Sequence, residues 1–349
     1  MRIFNYRELK DKKWDNEIIG YIAQIHELKA KQATFLNQQP ETLEKLVEIA
    51  KVQSTAASNE IEGIRTTNTR LKQIINDKTT PKNRDEEEIA GYRDVLNIIH
   101  ESYEFIPLTS NYIRQLHKIL YGHSPKVIGG NYKNIQNYIS ATDINGKTYT
   151  LFTPLTPYET PPAIENICDE FNKTMAESEV DSLILIPIFI HDFLCIHPFL
   201  DGNGRMSRLL TTLLLYRCGY LVGKYISLEA KISKNKNLYY EALEKAQQDW
   251  HTGGDNPEAF IKYLLGTIIS AYRDFEERAN LVSDNLPSIE VVKKAISTIL
   301  GKFNKAKLVE ICPTLGVKSI EAALKKLTDA GLIDKHGAGK NTFYTRKNI

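Results

Sequence analysis

The stretch HPFLDGNGRMSR, residues 197–208, constrains the fold of this chain more than any other. A long apolar run precedes it and a second helical pattern follows, which predicts a buried helix, a short turn and a new helix from about Arg205. Gly202 and Gly204 permit backbone conformations that point successive N–H groups into one concavity. The new helix adds its own unpaired N–H groups and the positive end of its dipole. The stretch therefore predicts an anion site between two helices.

The charged residues of this stretch indicate phosphate chemistry. Arg205 and Arg208 lie three apart on one face of the new helix, where their guanidinium groups can neutralise several phosphate oxygens. Asp201 would repel phosphate unless a cation lay between them, which indicates a ligand for Mg²⁺. His197 can accept a proton from a hydroxyl near neutral pH. An ordinary turn would explain DGNG but not the paired arginines, and the chain has no Walker-type GxxxxGK[ST] motif.

Helical spacing of apolar residues dominates the rest of the chain and predicts a mainly α fold. Residues 137–142 and 148–153 are different, because they are rich in β-branched and aromatic side chains. Asn145 and Gly146 between them favour the tight turn of a β-hairpin. The predicted helices of this region cover residues 18–36, 40–52, 86–103, 110–120, 163–175, 181–196 and 205–217.

The C-terminal part has a different pattern, after an apparent linker at residues 280–286. Helices are predicted at 289–302, 305–311 and 319–330, and short strands at 332–335 and 342–345 around a glycine turn. Three helices and a small hairpin indicate a winged helix over residues 287–349. This segment has 12 Lys and Arg against 5 Asp and Glu, whereas the whole chain carries only +2. The body is thus mildly acidic and the C-terminal segment basic.

Two functions are open for the basic segment. Its third helix could recognise duplex DNA, with Lys318, Lys325 and Lys326 near phosphates. The alternative is a winged helix used for contacts with proteins or for dimerisation.

Other features of the sequence narrow the protein class. The N-terminus has no apolar segment typical of a secretory signal, and no apolar run is long enough to span a bilayer. The four cysteines, Cys168, Cys195, Cys218 and Cys312, show no CxxC spacing. We therefore expect a cytoplasmic protein that does not bind membranes and has neither disulfides nor a zinc site.

Residues 197–208 match the signature HPFx[DE]GNGRxxR at every position, and the chain thereby resembles the Fic domain proteins. Members of this family are mostly helical enzymes that transfer AMP from ATP to a hydroxyl side chain of a protein. The resemblance implies a Fic helical core with a β-hairpin flap, an N-terminal helical region and a C-terminal winged helix. The implied boundaries are 1–105 for the N-terminal region with an inhibitory helix, 106–280 for the Fic domain and 287–349 for the winged helix.

The resemblance also implies roles for single residues. His197 would be the base that deprotonates a Ser, Thr or Tyr hydroxyl, and Asp201 would hold Mg²⁺. Residues expected to bind the ATP phosphates are Gly202, Asn203, Gly204, Arg205 and Arg208, together with Asp201 through the metal. Thr153, Pro154, Leu155 and Thr156 would lie over the nucleotide, and Tyr239 and Tyr240 near adenine, with core packing as the alternative for the tyrosine pair. A target protein would dock on the 137–153 hairpin, and the chain itself could be such a target. A homodimer is also compatible with the resemblance.

A second motif implies self-inhibition. Ser58, Glu62 and Gly63 fit the pattern [ST]xxxE[GN] of the inhibitory helix found in one class of Fic proteins, and Gly63 is a plausible helix stop. Glu62 is predicted to pair bidentately with Arg208, in the place of the γ-phosphate. A solvated surface carboxylate is the alternative. Rival functions are the transfer or removal of another nucleotide group, and a DNA-binding regulator.

Overall fold

Helices form most of the structure, a computed structural model that describes residues 2–38, 40–142, 146–283, 287–299, 301–312 and 315–347. The helices are α1 (Asn16–Gln38), α2 (Pro40–Ile61), α3 (Asn68–Ile75), α4 (Arg84–Ser102), α5 (Ser110–Leu120), α6 (Thr160–Glu177), α7 (Ser182–Ile196), α8 (Asn203–Arg217), α9 (Val222–Tyr225), α10 (Leu228–Lys234), α11 (Lys236–Ala246), α12 (Glu258–Ser283), α13 (Ser288–Thr298), α14 (Lys305–Ile311) and α15 (Val317–Asp329). The strands are β1 (Ile139–Thr142), β2 (Thr148–Phe152), β3 (Ile333–His336) and β4 (Phe343–Arg346). The mainly α fold is therefore confirmed. None of the helices within the described ranges is both long and apolar enough to cross a membrane.

The chain divides into two compact units. The first comprises residues 1–27 and 50–271, and the second comprises residues 28–49 and 272–349. The stretch 197–208 and the hairpin both belong to the first unit. The three implied domains, 1–105, 106–280 and 287–349, remain a prediction, because spatial compactness alone does not define domains.

Helix α7 forms the centre of the first unit. Its sequence SLILIPIFIHDFLCI is apolar on nearly every side, and almost all of its side chains are buried. Helices α6 and α8 pack against it. The buried carboxylate of Asp192 accepts hydrogen bonds from the Tyr6 hydroxyl at 2.7 Å and from Trp250 Nε1 at 2.6 Å. Because α7 is held on all sides, the residue at its C-terminal end has a defined position.

Strands β1 and β2 pair antiparallel and form the predicted hairpin. The register pairs Ile139 with Phe152 and Thr142 with Thr148, with an irregularity after Ile139. Gly146 has φ of +79°, as the predicted turn requires. Residues 143–145 of that turn lie outside the described residues. Phe152 is buried at one end of the hairpin and contacts the ring of Trp250, which anchors β2 to the helical core.

Several helix boundaries differ from the predicted ones. Helix α2 continues to Ile61 rather than ending at residue 52, and the chain turns at Gly63 with φ of +79°. Helix α6 begins at Thr160, not 163, because two prolines occupy its first turn, where no intrahelical N–H is needed. Helix α12 reaches Ser283 and so covers part of the predicted linker; residues 284–286 lie outside the described ranges. Helix α3 was not predicted.

In the second unit, α13, α14, α15, β3 and β4 share one apolar core, which includes Val292, Leu308, Ile320, Leu327 and Ile333. Strands β3 and β4 pair antiparallel, and Phe303 forms an isolated bridge with Tyr344 of β4. Helix α13 ends at Thr298, earlier than the predicted residue 302. The elements follow the order that a winged helix requires, and the winged-helix assignment itself stays a prediction.

Candidate active site

The turn between α7 and α8 is held by its own side chains. Helix α7 ends where His197 adopts a left-handed conformation, with φ of 51° and ψ of 63°. The side chain of Asn203, the first residue of α8, then closes the loop. Its Oδ1 accepts from the N–H of Phe199 at 2.9 Å, and its Nδ2 donates to the carbonyl of Phe199 at 2.7 Å. Phe199 is fully buried and stacks on His117 with ring centroids 3.7 Å apart. The loop is therefore rigid on both sides.

An added side chain at either glycine of the turn would meet a neighbouring group. Gly202 has φ of +83°, and an added Cβ would lie 3.0 Å from the ring of Tyr121. A Cβ on Gly204 would collide with the carboxylate of Glu62. The first N–H groups of α8 have no intrahelical partner and lie beside these glycines, as the predicted anion site requires.

A cavity of about 240 Å³ opens over this turn. It brings together many of the predicted residues with side chains of α11 and of the hairpin. The predicted residues that line it are His197, Asp201, Gly202, Asn203, Gly204, Arg205, Arg208, Glu62, Tyr239 and Tyr240. The rest of the lining comes from Leu243 and Glu244 of α11, from Gln247 directly after that helix, and from Ile139 and Leu151 of the hairpin.

Some predicted residues are not part of the cavity lining among the described residues. Thr153 accepts a hydrogen bond through its carbonyl from His251 at 2.9 Å, and Leu155 is buried. The hydroxyl of Thr156 donates to Glu159 at 2.7 Å. Pro154 accepts through its carbonyl from Gln136. From the hairpin, Ile139 and Leu151 face the cavity instead, and contact of residues 153–156 with a nucleotide remains a prediction.

His197 is partly exposed at the cavity wall. Burial of the ring lowers its pKa from 6.5 to about 4, and the nearby ammonium of Lys133 also lowers it. Its Nδ1 lies 3.2 Å from the carbonyl of Leu194. We infer that Nδ1 carries the proton and donates to this carbonyl, which leaves Nε2 as the basic nitrogen. The imidazole is therefore neutral at pH 7 and able to accept a proton.

Arg205 is buried and partly neutralised from the side away from the turn. Its Nη2 forms an ion pair with Glu88 at 2.8 Å and donates to the hydroxyl of Tyr121 at 2.8 Å. Its Nε and Nη1 are buried and have no hydrogen-bond partner among the described residues. Buried donors normally find partners, so these two nitrogens indicate an anion that binds here.

Arg208 is held by the end of helix α2. Its Nη2 lies 2.7 Å from Oε1 of Glu62 and donates to the carbonyl of Ser58 at 3.0 Å, while its Nε donates to the Ser58 hydroxyl at 2.8 Å. The predicted pairing of Glu62 with Arg208 is thus present as a contact. It involves one carboxylate oxygen rather than the bidentate geometry that we expected, because Ser58 takes the other face of the guanidinium. Gly63 is not part of the cavity wall but ends the turn after α2.

Asp201 has an exposed carboxylate near several cations. Its Oδ1 accepts from the N–H of Gly202 at 2.7 Å. Its Oδ2 lies 3.5 Å from Arg84 and 3.7 Å from Lys126, and Arg205 approaches Oδ1 at 3.9 Å. These distances are long for tight ion pairs, so the carboxylate retains free coordination positions. The donor type and the anion site beside it fit a hard divalent cation.

A second acidic group lies nearby but is already neutralised. His191, Asp192 and Asp255 bring ligand atoms within 4.8 Å of one another. The guanidinium of Arg2 forms ion pairs with both carboxylates. Because this cation fills the site, the group is better explained as a buried anchor for the N-terminal segment.

The sequence alone did not identify the residues that support the site from other elements. They are Glu88 and Tyr121 around Arg205, His117 under Phe199, and Lys133 and Asn137 beside His197. None of them belongs to a motif with its own chemistry. Their partners are distant in the chain, so no local pattern could have assigned these contacts.

Comparison with known proteins relates part of the chain to a family. Residues 107–215 match the model of the Fic/DOC family. A Fido domain-containing protein of Dictyostelium discoideum is 26% identical over 122 residues, which are 34% of this chain and 80% of that protein. The protein adenylyltransferase Fic of Nematostella vectensis is 25% identical over 219 residues, 58% of this chain and 45% of that protein. The chain therefore spans less than half of this adenylyltransferase.

Solved structures show the same fold. A Fic family protein from Desulfovibrio desulfuricans superposes with a TM-score of 0.62 at 18% identity, covering 97% of this chain and 98% of the other. A Fic domain-containing signalling protein from Bacteroides thetaiotaomicron gives a TM-score of 0.61 at 25% identity, covering 74% and 97%. The matched residues 107–215 contain the hairpin, α7, the turn and all but the last two residues of α8. Residues 107–215 of the chain therefore match a Fic domain.

Proposed function

We propose that this protein transfers AMP from ATP to a hydroxyl side chain of a protein, and that Glu62 restrains the reaction. The observation that carries the proposal is the cavity itself. A neutral imidazole lies there beside a helix N-terminus, two buried arginines and an exposed carboxylate. Relatives named protein adenylyltransferases at 25–28% identity support the same chemistry.

The proposed reaction follows from these groups. Nε2 of His197 takes the proton of the target hydroxyl, whose oxygen attacks the α-phosphorus of ATP. The bond from the α-phosphorus to the bridging oxygen breaks, AMP remains on the target, and pyrophosphate leaves. The N–H groups at the start of α8 and the guanidinium groups of Arg205 and Arg208 stabilise the charge on the leaving phosphates. The orphaned Nε and Nη1 of Arg205 are suited to this role.

Asp201 is the residue that would hold Mg²⁺, and the ion, when bound, neutralises phosphate charge. A carboxylate beside a phosphate site is repulsive without a cation. We expect Asp201→Ala to lose AMP transfer together with its dependence on Mg²⁺, measured by titrating the metal at fixed ATP. Retained activity with an unchanged Mg²⁺ requirement would assign the metal to another residue.

The wall opposite the phosphates suits a nucleotide base. Tyr239 and Tyr240 lie with ring centroids 5.3 Å apart, and only Tyr240 is exposed. Ile139 and Leu151 of the hairpin add apolar surface, and Gln247 adds an amide that can hydrogen-bond a base. We assign adenine to this wall. Tyr239 also lines the cavity but is only 4% exposed, so we assign it the role of packing against the ring of Tyr240.

The hairpin is the proposed docking site for the target. Within the described residues, β1 pairs only with β2, so each strand keeps an open edge. An extended segment of a target could add to such an edge through main-chain hydrogen bonds. This would place a side-chain hydroxyl near the cavity, into which Ile139 and Leu151 point.

Helix α2 provides the proposed restraint. The carboxylate of Glu62 occupies Arg208 and lies against Gly204, so it places a negative charge where phosphate should bind. The ammonium of Lys236 donates to the carbonyl of Ile61 at 2.6 Å and so holds the end of α2 in place. ATP with a displaced triphosphate would have its α-phosphorus out of line for attack.

The decisive experiment uses two labels. The purified Glu62→Gly variant, in which Arg208 is released, is incubated with a lysate, Mg²⁺ and ATP labelled at either the α- or the γ-phosphate. Relative to a variant that also carries His197→Ala, AMP transfer predicts additional protein-bound label from α-labelled but not from γ-labelled ATP, and no additional label from α-labelled ATP would reject it. His197→Ala is the matched inactive control, and unlabelled UTP as competitor tests the base assignment. Mass spectrometry of labelled bands, the chain included, then identifies the modified hydroxyl.

The C-terminal segment supports a second candidate, duplex DNA binding. Lys318, Lys325 and Lys326 are exposed on α15, the helix that would enter a groove. The full chain should bind a fluorescent duplex at low salt, and affinity should fall steeply as salt rises. Lys325→Glu with Lys326→Glu should abolish the binding, whereas no binding by the wild type at low salt would leave protein contacts as the function of this segment.

A further inference from the structure

Lys133 and Asn137, which precede the hairpin, donate hydrogen bonds to every main-chain carbonyl of the segment 196–199, which contains His197. The Nζ and the backbone N–H of Lys133 supply two of the four hydrogen bonds, and Nδ2 of Asn137 supplies the other two. The bonds run from Lys133 Nζ to Ile196 at 3.0 Å, from Lys133 N to Pro198 at 2.8 Å, and from Asn137 Nδ2 to His197 at 3.2 Å and Phe199 at 3.0 Å. Lys133 Nζ also donates to Asn137 Oδ1 at 2.9 Å, so the two side chains form one unit.

This segment needs outside support for two reasons. The last carbonyls of a helix lack intrahelical partners, and Ile196 ends α7. His197 has φ of 51°, a left-handed conformation that a residue with a β-carbon rarely adopts and that persists only when its surroundings enforce it. The ammonium of Lys133 also lies at the negative end of the α7 dipole, where a cation is favourable.

We propose that Lys133 and Asn137 are positioning residues that fix the backbone of His197, and through it the imidazole, for proton transfer. The inference rests on the proposed AMP transfer, because it concerns the base of that reaction. Neither residue lines the cavity within the described part of the chain, so both act through His197 rather than on the substrate.

The same pair connects the base with the target-binding strand. Asn137 lies two residues before the start of β1. Between Lys133 and β1, Gln136 donates to the carbonyls of Asn137 and Pro154, both at 3.0 Å, and Pro154 follows the end of β2. Both ends of the hairpin are thus tied to the segment that carries the base. The pair thereby sets how far a hydroxyl docked on the hairpin lies from Nε2.

The buried charge of Lys133 makes it possible to test positioning apart from folding stability. The side chain is 3% exposed, and the hydrogen bonds of its ammonium go to neutral oxygens. Burial lowers its pKa from 10.5 to about 8. A buried ammonium without a bonded carboxylate is costly, so a methionine of similar length should fold well. The methionine would nevertheless lose the donors that hold Ile196 and Asn137.

The test compares Lys133→Met and Asn137→Asp in the released background Glu62→Gly. Asn137→Asp is isosteric but turns an oxygen toward the carbonyls of His197 and Phe199. Asn134→Asp, an exposed residue of the same segment, is the matched control. We expect kcat to fall by about 10² in both variants, with KM for ATP and melting temperature unchanged. The double variant should lose less than the product of the two single losses, because the two side chains act together. Unchanged kcat in both single variants would overturn the inference.

A measurement on the protein without nucleotide distinguishes failure of the positioning role from failure of the proposed AMP transfer. Absence of AMP transfer in Glu62→Gly with His197 intact would reject the proposed function. The positioning role is then tested by NMR of the ¹⁵N-histidine-labelled protein, where the His197 signal is assigned by its loss in His197→Ala. Lys133→Met and Asn137→Asp should shift this signal and Asn134→Asp should not. A His197 signal that stays in place in both variants would reject the positioning role.

Discussion

Arg205 and Arg208 lie three residues apart at the start of one helix, yet their surroundings differ. Arg205 pairs with Glu88, and the two side chains are 1% and 2% exposed. Arg208 pairs with Glu62, whose side chain is 33% exposed and follows the last residue of α2. One guanidinium is thus held by a partner inside a packed helix, and the other by a partner at a helix end. The contrast teaches that the first pair is part of the structure, whereas the second can be released.

Breaking the buried pair should have the largest effect. Glu88→Ala leaves the buried charge of Arg205 with the hydroxyl of Tyr121 and the more distant carboxylate of Asp201 at 3.9 Å. We expect the free energy of unfolding to fall by about 3 to 5 kcal/mol, measured by urea denaturation. Glu87→Ala, on the neighbouring position of the same helix, is the control. A melting curve of Glu88→Ala that overlays the control would show that Arg205 does not depend on this pair.

Removing the base should lower the rate of AMP transfer without removing the binding of ATP that we assign to the two arginines. His197→Ala should lower the rate of AMP transfer by about 10² to 10⁴. Binding of Mg·ATP should be largely intact, because His197 lies outside the turn that holds the phosphates. Single-turnover kinetics and isothermal calorimetry measure the two quantities separately. Near wild-type transfer by this variant would mean that another group takes the proton.

Releasing Arg208 from Glu62 should raise activity rather than lower it. Glu62→Gly frees Arg208 and clears the space over Gly204, so AMP transfer, including self-modification, should rise at least about tenfold, equivalent to 1.4 kcal/mol. Glu60→Gly on another face of α2 is the control, because its 56% exposed side chain pairs only loosely with Arg65 at 3.7 Å. Equal activity of wild type and Glu62→Gly at matched Mg²⁺ and ATP would remove the inhibitory role.

Lowering the pH should reduce the free energy of unfolding by a smaller amount, through a histidine on the helix that carries Glu88. Helix α4 carries Glu88 and buries His100 near its other end. Burial lowers the pKa of His100 from 6.5 to about 3, with Lys51 and Lys224 acting in the same direction. Between these values the unfolded chain binds a proton that the folded chain does not, so stability falls as pH drops. From pH 7 to 5.5 the loss through this residue should be about 1 kcal/mol.

The variant His100→Gln isolates this contribution. Its free energy of unfolding should depend less steeply on pH than that of the wild type, since the other buried groups are common to both proteins. Parallel slopes for wild type and His100→Gln would show that the histidine is not neutral in the folded state.

The sequence by itself determined the features that depend on neighbours along the chain. The stretch 197–208 predicted the end of α7, the left-handed glycine and the start of α8, because these depend on local backbone preferences. Helical spacing predicted the mainly α fold, and β-branched residues around Asn145 and Gly146 predicted the hairpin. The extent of α2 beyond residue 52 and of α12 into the expected linker was missed, because QSTAASNEI and similar polar stretches are helical only when one face is packed.

Only the tertiary structure decided which partner each charged group has. Spacing on α8 puts Arg205 and Arg208 on one face but cannot show that Glu88 takes the first and Ser58 with Glu62 the second. It likewise cannot show that Ile139 and Leu151, rather than residues 153–156, face the cavity, or that Lys133 and Asn137 hold the backbone of His197. These partners lie on separate elements of the chain. Hydrogen bonds and ion pairs act over a few ångströms, so which groups meet is settled by packing of the helices and the hairpin.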